Sequence, residues 1–344
     1  MNPSPFFSVI VAAYNVENYI AEALESIISQ TFKDWELIII DDASTDSTVN
    51  KVVEFLADPR IRLIKRGKNS EGGFIPRFEG VKEAQGKYIV HLDADDLVLP
   101  YHLQDLHDSI EISWADLVIP EMWRFKDSPA QAYKIFPLEN FRTDMVWQGK
   151  NLVKYTLPVW KIGMAGYAVR KEIFLEASKY IRETYKDEKY GDELLSRFIF
   201  KDSESVTFIS SPYLYRFNSQ SITSNKYGEV KRLDFLSNAL IEFAEQFYGP
   251  DSQEFHGAQK FRLNFLINLY SIIADSKLTK EQKAYIDNLL ERLHSEREWK
   301  NYKGFLSLPY RLILASPIWI GMRLNEPVKN LRKLKRKIWK APLK

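Results

Sequence analysis

The stretch Tyr88-Ile89-Val90-His91-Leu92-Asp93-Ala94-Asp95-Asp96 runs β-forming residues straight into three carboxylates. A strand of this kind delivers its last residues to the carboxyl edge of a sheet, where open α/β sheets bind their ligands. Like charges gathered there repel by roughly 1 kcal/mol per close pair even in bulk water. A hard divalent cation that keeps part of its water shell and grips a phosphate would relieve that repulsion. Taken alone, Asp-x-Asp also describes a solvated turn leading into a helix, where Asp is favoured anyway. The flanking elements decide between the two.

Working back from Tyr88, the chain alternates strand and helix. Phe6 to Ala13 is a short apolar run suited to a strand buried on both faces, broken by Tyr14-Asn15. Ile20, Ala23, Leu24, Ile27 and Ile28 recur at helical spacing. Trp35 to Ile40 reads as a strand ending in Asp41-Asp42, and Ser44-Thr45-Asp46 offers cap chemistry to a helix over Val49 to Leu56. Ile61 to Ile64 is a third strand. Pro76 opens a helix reaching Ala84, and Gly86 closes it before the acidic strand. This order predicts an α/β, Rossmann-like, mostly parallel central sheet with right-handed crossovers and flanking helices. Tyr14, Asp42, Asp93 and Asp95 are then expected along one edge.

Working forward, a helix is predicted from Pro100 to Ser113 and a strand over Asp116 to Ile119. Residues 120–165 read as irregular and aromatic. Trp123, Phe125, Tyr133, Phe136, Phe141 and Trp147 suit a core first and a sugar platform second. Glu172 to Tyr185 and Asp192 to Phe200 read as helices, Val206 to Ile209 and Tyr213 to Phe217 as two strands. From Glu229 the pattern is helical throughout, with a capping box at Thr279-x-x-Gln282. The expected organisation is a catalytic-type α/β domain over 1–228, a helical hairpin region over 229–300 and a tail over 301–344. His91 reads as a satisfied core or edge residue.

The 344 residues contain no cysteine, which excludes disulfides, thiolate metal sites and cysteine nucleophiles. The first residues show neither a basic stretch nor a long apolar region, and no run of about 18 apolar residues occurs. Residues 301–344 hold 11 Lys and Arg against Glu326 alone, a net +10 in a chain whose total is +2. Leu331, Leu334 and Ile338 form an apolar stripe among those cations, the pattern of a helix lying on an anionic membrane surface. A terminal helix packed on the body is the alternative. Nucleic acid is the poorer partner, since the charge is confined to the tail.

Ser8-Val9-Ile10-Val11-Ala12-Ala13-Tyr14-Asn15, Ser29-Gln30-Thr31-Phe32, Glu36 to Asp46 and Gly86 to Asp96 together resemble family 2 glycosyltransferases of the GT-A fold. The likeness is dense over residues 6–100 and thins beyond 120. It implies inverting sugar transfer from a nucleotide-sugar donor, usually UDP-linked, with Mn²⁺ or Mg²⁺. By position, Tyr14 would stack on the base, Asp42 would bind the uracil edge, Asp93 would hold the ribose or donor sugar and Asp95 would ligate the metal. Arg77 stands where the family has Ala-Arg-Asn, although Pro76 and Phe78 flank it here, and would contact the diphosphate. Arg216, in the segment that follows the last sheet strand, is a further diphosphate contact.

The resemblance also supplies a base for the acceptor hydroxyl. The family has Glu-Asp where this chain has Asp192-Glu193, so Glu193 takes the position of the base and Asp192 is the reserve. Acid capping of a helix is the competing explanation of that pair. The acceptor implied is a glycan or lipid-linked glycan of the cell envelope, with the enzyme peripheral at the cytoplasmic face of the membrane. Residues 160–167 suit an acceptor wall and a plain turn equally, and residues 229–295 offer a homodimer surface. Two alternatives remain: a nucleotidyltransferase, disfavoured by Ala12-Ala13-Tyr14-Asn15 in place of a glycine-rich phosphate loop, and a non-catalytic sugar-binding scaffold subunit.

Overall fold

The computed structural model describes residues 4–136, 141, 143–157, 165–185, 191–218, 226–273 and 279–295. The chain divides into two compact units, Met1–Ser219 and Gln220–Lys344.

The first unit is built on one sheet. Its strands are β1 (Phe7–Ala13), β2 (Trp35–Asp41), β3 (Ile61–Lys65), β4 (Tyr88–Asp93), β5 (Leu97–Val98), β6 (Leu117–Phe125), β7 (Tyr133–Phe136), β8 (Ala168–Arg170) and β9 (Val206–Arg216). They follow the order β3-β2-β1-β4-β8-β6-β9-β5, with β7 pairing on β6. The helices are α1 (Ile20–Ile28), α2 (Thr48–Val53), α3 (Phe74–Glu83), α4 (His102–Ser113), α5 (Gly149–Thr156), α6 (Lys171–Thr184) and α7 (Gly191–Asp202).

The first four strands are parallel, as their apolar runs predict. β2 is buried along its whole length, and only Ala12 of β1 is not fully buried. Each Val, Ile or Leu so covered contributes about 1.5–3 kcal/mol. Beyond β4 the sheet turns mixed, because β8 enters antiparallel between β4 and β6. The three residues of β8 carry too little periodicity to announce a strand. α3 begins two residues before Pro76, which still falls in the first helical turn, where a missing N–H costs nothing.

The span read as irregular is better ordered than its sequence pattern suggests. β6 continues from Leu117 to Phe125, and β7 and α5 follow. Phe125 and Phe141 are buried, and Phe141 stacks on Phe208 with centroids 4.7 Å apart, so these two aromatics are core. Tyr133 is exposed. The two strands read around residue 210 are one, β9, which shifts register against β6 at Pro120/Glu121. That irregularity breaks the alternation and hides the continuity. His91 is core, packed 5.0 Å from the Phe174 ring, but neither ring nitrogen has a hydrogen-bond partner. The expectation that it would be satisfied is therefore corrected.

The second unit holds α8 (Lys226–Tyr248), α9 (Gln253–Ile273) and α10 (Lys280–Ser295). The capping box at the start of α10 forms reciprocally: the Thr279 amide donates to Gln282 Oε1 at 3.0 Å and the Gln282 amide to Thr279 Oγ1 at 3.2 Å. No helix among the described residues is long and apolar enough to cross a membrane. The basic tail lies outside the described residues.

Candidate active site

The carboxyl ends of β1, β2 and β4 meet at one edge because the three strands are parallel neighbours. Two connections there interlock. Asn15 and Ala43 both take positive φ, 51° and 65°. Asn15 Oδ1 accepts the Thr45 amide at 2.8 Å, and Ser44 Oγ accepts the Asn15 amide at 3.1 Å. Left-handed backbone at a non-glycine costs energy and collects at functional sites. Tyr14 stands at the end of β1 with 46% of its surface exposed, a free aromatic face.

Asp42 is buried at the end of β2. Its carboxylate is bonded to Arg66 and accepts Ser70 Oγ at 2.7 Å and the Ser70 amide at 3.0 Å. Arg66 also reaches Glu79 Oε2 at 2.8 Å, and these two acids outweigh burial to hold its charge more firmly than usual. Arg66 and Ser70 escaped the sequence reading. A basic residue just past β3 was the available signal, since β3 neighbours β2.

The acidic turn after β4 separates its carboxylates by role. Asp93 Oδ1 accepts Arg77 at 2.5 Å, and the other arm of the same guanidinium is bonded to Asp192 Oδ2. Burial disfavours the Arg77 charge, but Asp192 and Asp93 more than offset it and the guanidinium stays firmly protonated. Asp192, at the start of α7, is raised by burial against the lowering pull of Arg77, and its Oδ1 has no partner. Gly73, which caps α3, admits the pair: a Cβ there would lie 2.7 Å from Asp192 Oδ2 and collide with Arg77. α7 places Glu193 next in line, and its side chain lies outside the described residues.

Asp95 is different. Among the described residues its carboxylate accepts one hydrogen bond from another side chain, Asn218 Nδ2 at 3.3 Å. Burial raises its pKa, and the Asp93 charge raises it further. A hard oxygen donor backed by a like charge fits a divalent cation. No cluster of three or more acidic or His ligands exists among the described residues, so a cation here would share its shell with a ligand's oxygens. Arg216 is nearly buried and packs its guanidinium over Phe125 at 4.6 Å. It donates from Nε to the Asp95 carbonyl at 2.8 Å and from a terminal nitrogen to Glu22 at 2.5 Å. It thus braces the turn through the Asp95 backbone. Of the acceptor wall, residues 160–164 lie outside the described residues, and Tyr167 is buried.

A parallel half-sheet carrying an acidic turn, a bridging arginine and a free aromatic at its carboxyl edge defines a nucleotide-sugar-dependent transferase fold of the GT-A type. The sequence model of glycosyl transferase family 2 matches residues 8–160, so that stretch of the chain carries a domain of this family. It is 27% identical over 237 residues to the glycosyltransferase GlyG of Streptococcus pneumoniae, covering 65% of this chain and 75% of the relative. It is also 27% identical to WfgD of Escherichia coli, a UDP-Glc:α-D-GlcNAc-diphosphoundecaprenol β-1,3-glucosyltransferase, over 68% of this chain and 87% of that one. Staphylococcus aureus TarS 1–349 in complex with UDP superposes with TM-score 0.60 at 19% identity, over 96% of this chain and 91% of that one, and shares the fold.

Proposed function

We propose that this glycosyltransferase moves one sugar, with inversion, from a UDP-linked donor to a hydroxyl of a glycan or lipid-linked glycan in cell-envelope polysaccharide synthesis. The observation that carries the reading is the split among the acidic side chains. Asp93 and Asp192 are already neutralised by Arg77, while among the described residues no cationic side chain is bonded to the Asp95 carboxylate. A Mn²⁺ or Mg²⁺ ion held by Asp95 would neutralise charge on the departing diphosphate without proton transfer. Tyr14 would stack on the base, Asp42 and its Arg66–Ser70 support would line the uracil pocket, and Asp93 would take a donor hydroxyl.

Glu193 would accept the proton of the acceptor hydroxyl as its oxygen bonds to the anomeric carbon and the carbon–diphosphate bond breaks. Asp192 is bonded to Arg77 and suits orienting that arginine better than proton removal. The activities of relatives support donor and acceptor class: WfgD is a UDP-Glc:α-D-GlcNAc-diphosphoundecaprenol β-1,3-glucosyltransferase, and TarS is a poly(ribitol-phosphate) β-N-acetylglucosaminyltransferase. We place the enzyme at the inner face of the cytoplasmic membrane, held by the cationic, apolar-striped tail 301–344, with residues 229–295 available for a homodimer.

A thermal-shift panel of nucleotide-sugars with Mn²⁺ tests the donor, because a ligand that binds the native state alone raises the midpoint. A UDP-sugar should raise it, and by more with metal present. An equal response to GDP-sugars, or none to any nucleotide-sugar, would overturn the assignment.

A further inference from the structure

Asp96, the third carboxylate of the acidic turn, has no place in the donor site as described. It is fully buried, and among the described residues no arginine or lysine pairs with its carboxylate. Burying a carboxylate without a cation is costly unless its oxygens are fully hydrogen-bonded. Here they are. Asp96 Oδ2 accepts the Tyr213 hydroxyl at 2.7 Å, and Oδ1 accepts the Arg216 amide at 2.7 Å. The Tyr213 oxygen in turn accepts the Asp93 amide at 3.0 Å. Arg216 Nε donates to the Asp95 carbonyl at 2.8 Å. Each Asp of the turn is therefore tied to β9: Asp93 by its amide, Asp95 by its carbonyl, Asp96 by its side chain. Tyr213 is buried too, with its ring seated where a Cβ on Gly166 would come within 2.8 Å of Cγ.

These ties hold the backbone of the turn to β9 and leave the Asp93 and Asp95 carboxylates to other partners, Arg77 and Asn218. We propose that Asp96 and Tyr213 are positioning residues, clamping the turn to β9 so that the Asp95 carboxylate is presented to the metal–diphosphate unit of the donor. The inference rests on the donor-site reading above. It requires no new chemistry, only that the position of one carboxylate be set in advance. Preorganisation of that kind matters most where the protein supplies few ligands.

The test uses the full chain and Mn²⁺ titrated in the presence of excess UDP, with free Mn²⁺ read by electron paramagnetic resonance. Tyr213→Phe leaves Asp96 Oδ2 and the Asp93 amide unpaired. Asp96→Asn keeps the volume but leaves one acceptor oxygen for two donors, the Tyr213 hydroxyl and the Arg216 amide. Each variant should weaken Mn²⁺ binding about tenfold, the value of one buried hydrogen bond, while melting cooperatively. The metal concentration for half-maximal donor turnover should rise in step, with UDP binding in the absence of metal unchanged. Asp96→Asn carries the test if Tyr213→Phe fails to fold. Lowered melting midpoints with wild-type Mn²⁺ affinity would reduce both residues to a structural role and overturn the proposal. Asp95→Ala is the control: if it keeps the wild-type Mn²⁺–UDP affinity, the donor-site reading itself falls.

Discussion

Arg77 on α3 and Asp192 on α7 stand 115 residues apart in sequence and are bonded side chain to side chain, with Asp93 on the other arm of the same guanidinium. The bridge ties the acidic turn to the helix that carries the candidate base. Arg77→Lys keeps the charge but not the fork, so it can serve only one acid at a time. Donor turnover should fall about 100-fold in Arg77→Lys and further in Arg77→Ala. Stability of the alanine variant should drop by about 3 kcal/mol, because two partly buried acids are left unpaired. Steady-state kinetics and denaturant titration check both.

Gly73→Ala probes the same bridge from outside. The added methyl would meet Asp192 Oδ2 at 2.7 Å and collide with Arg77. The backbone there is ordinary for alanine, φ −81°, so no backbone strain is added. The expected result is a loss of about tenfold in kcat/KM with a melting midpoint close to the parent's. A fully active Gly73→Ala enzyme would show that the bridge is dispensable.

Asp95→Ala should abolish metal-dependent transfer without unfolding the chain, since it removes a carboxylate that burial and Asp93 already disfavour. Asp95→Asn should be nearly as inactive, because a neutral amide oxygen is a poor ligand for a hard cation. Activity assays with circular dichroism on the same preparations decide this.

Acid should destabilise the fold through two buried histidines. Burial pushes His102 down to about 4, and it pushes His91 well below its ordinary value with the Arg77 charge adding to the effect. Both stay neutral when folded and take up a proton when unfolded below about pH 6.5. Their stabilisation is complete above that pH and is lost progressively towards pH 4, by up to about 3 kcal/mol for His102. His91→Phe should raise stability by about 1 kcal/mol and flatten part of that slope, since the His91 ring nitrogens lie unpaired among Phe174 and Tyr167. Melting midpoints across this pH range provide the check.

Thr279→Ala should loosen α10 by about 1 kcal/mol by deleting one half of a reciprocal cap. Amide exchange of the first turn of α10 would report it directly.

The parallel half of the sheet was legible because β1, β2 and β4 are buried on both faces and so spell continuous apolar runs. The edge that carries Tyr14, Asp42, Asp93 and Asp95 was legible for the same reason: a parallel strand announces where its carboxyl end lies. Three things were not. β8 is too short to show a period, and the β6–β9 register shift splits one strand into two apparent ones. The partners of the acids come from distant positions, Arg66 for Asp42 and Tyr213 for Asp96, and no local spacing encodes them. Arg216 illustrates this: its guanidinium holds Glu22 and the Asp95 carbonyl, two contacts that its place after the last strand does not announce.

The dependence of the acidic turn on β9 bears on how such enzymes can be recombined. The nucleotide half, residues 6–100, looks like a cassette that could be grafted onto a new acceptor half. Yet its third Asp finds its hydroxyl and amide donors 117 and 120 residues downstream. A chimera joined between β4 and β9 must bring a tyrosine at position 213 and a strand in the same register. Otherwise it inherits a cassette whose acidic turn has lost its anchor.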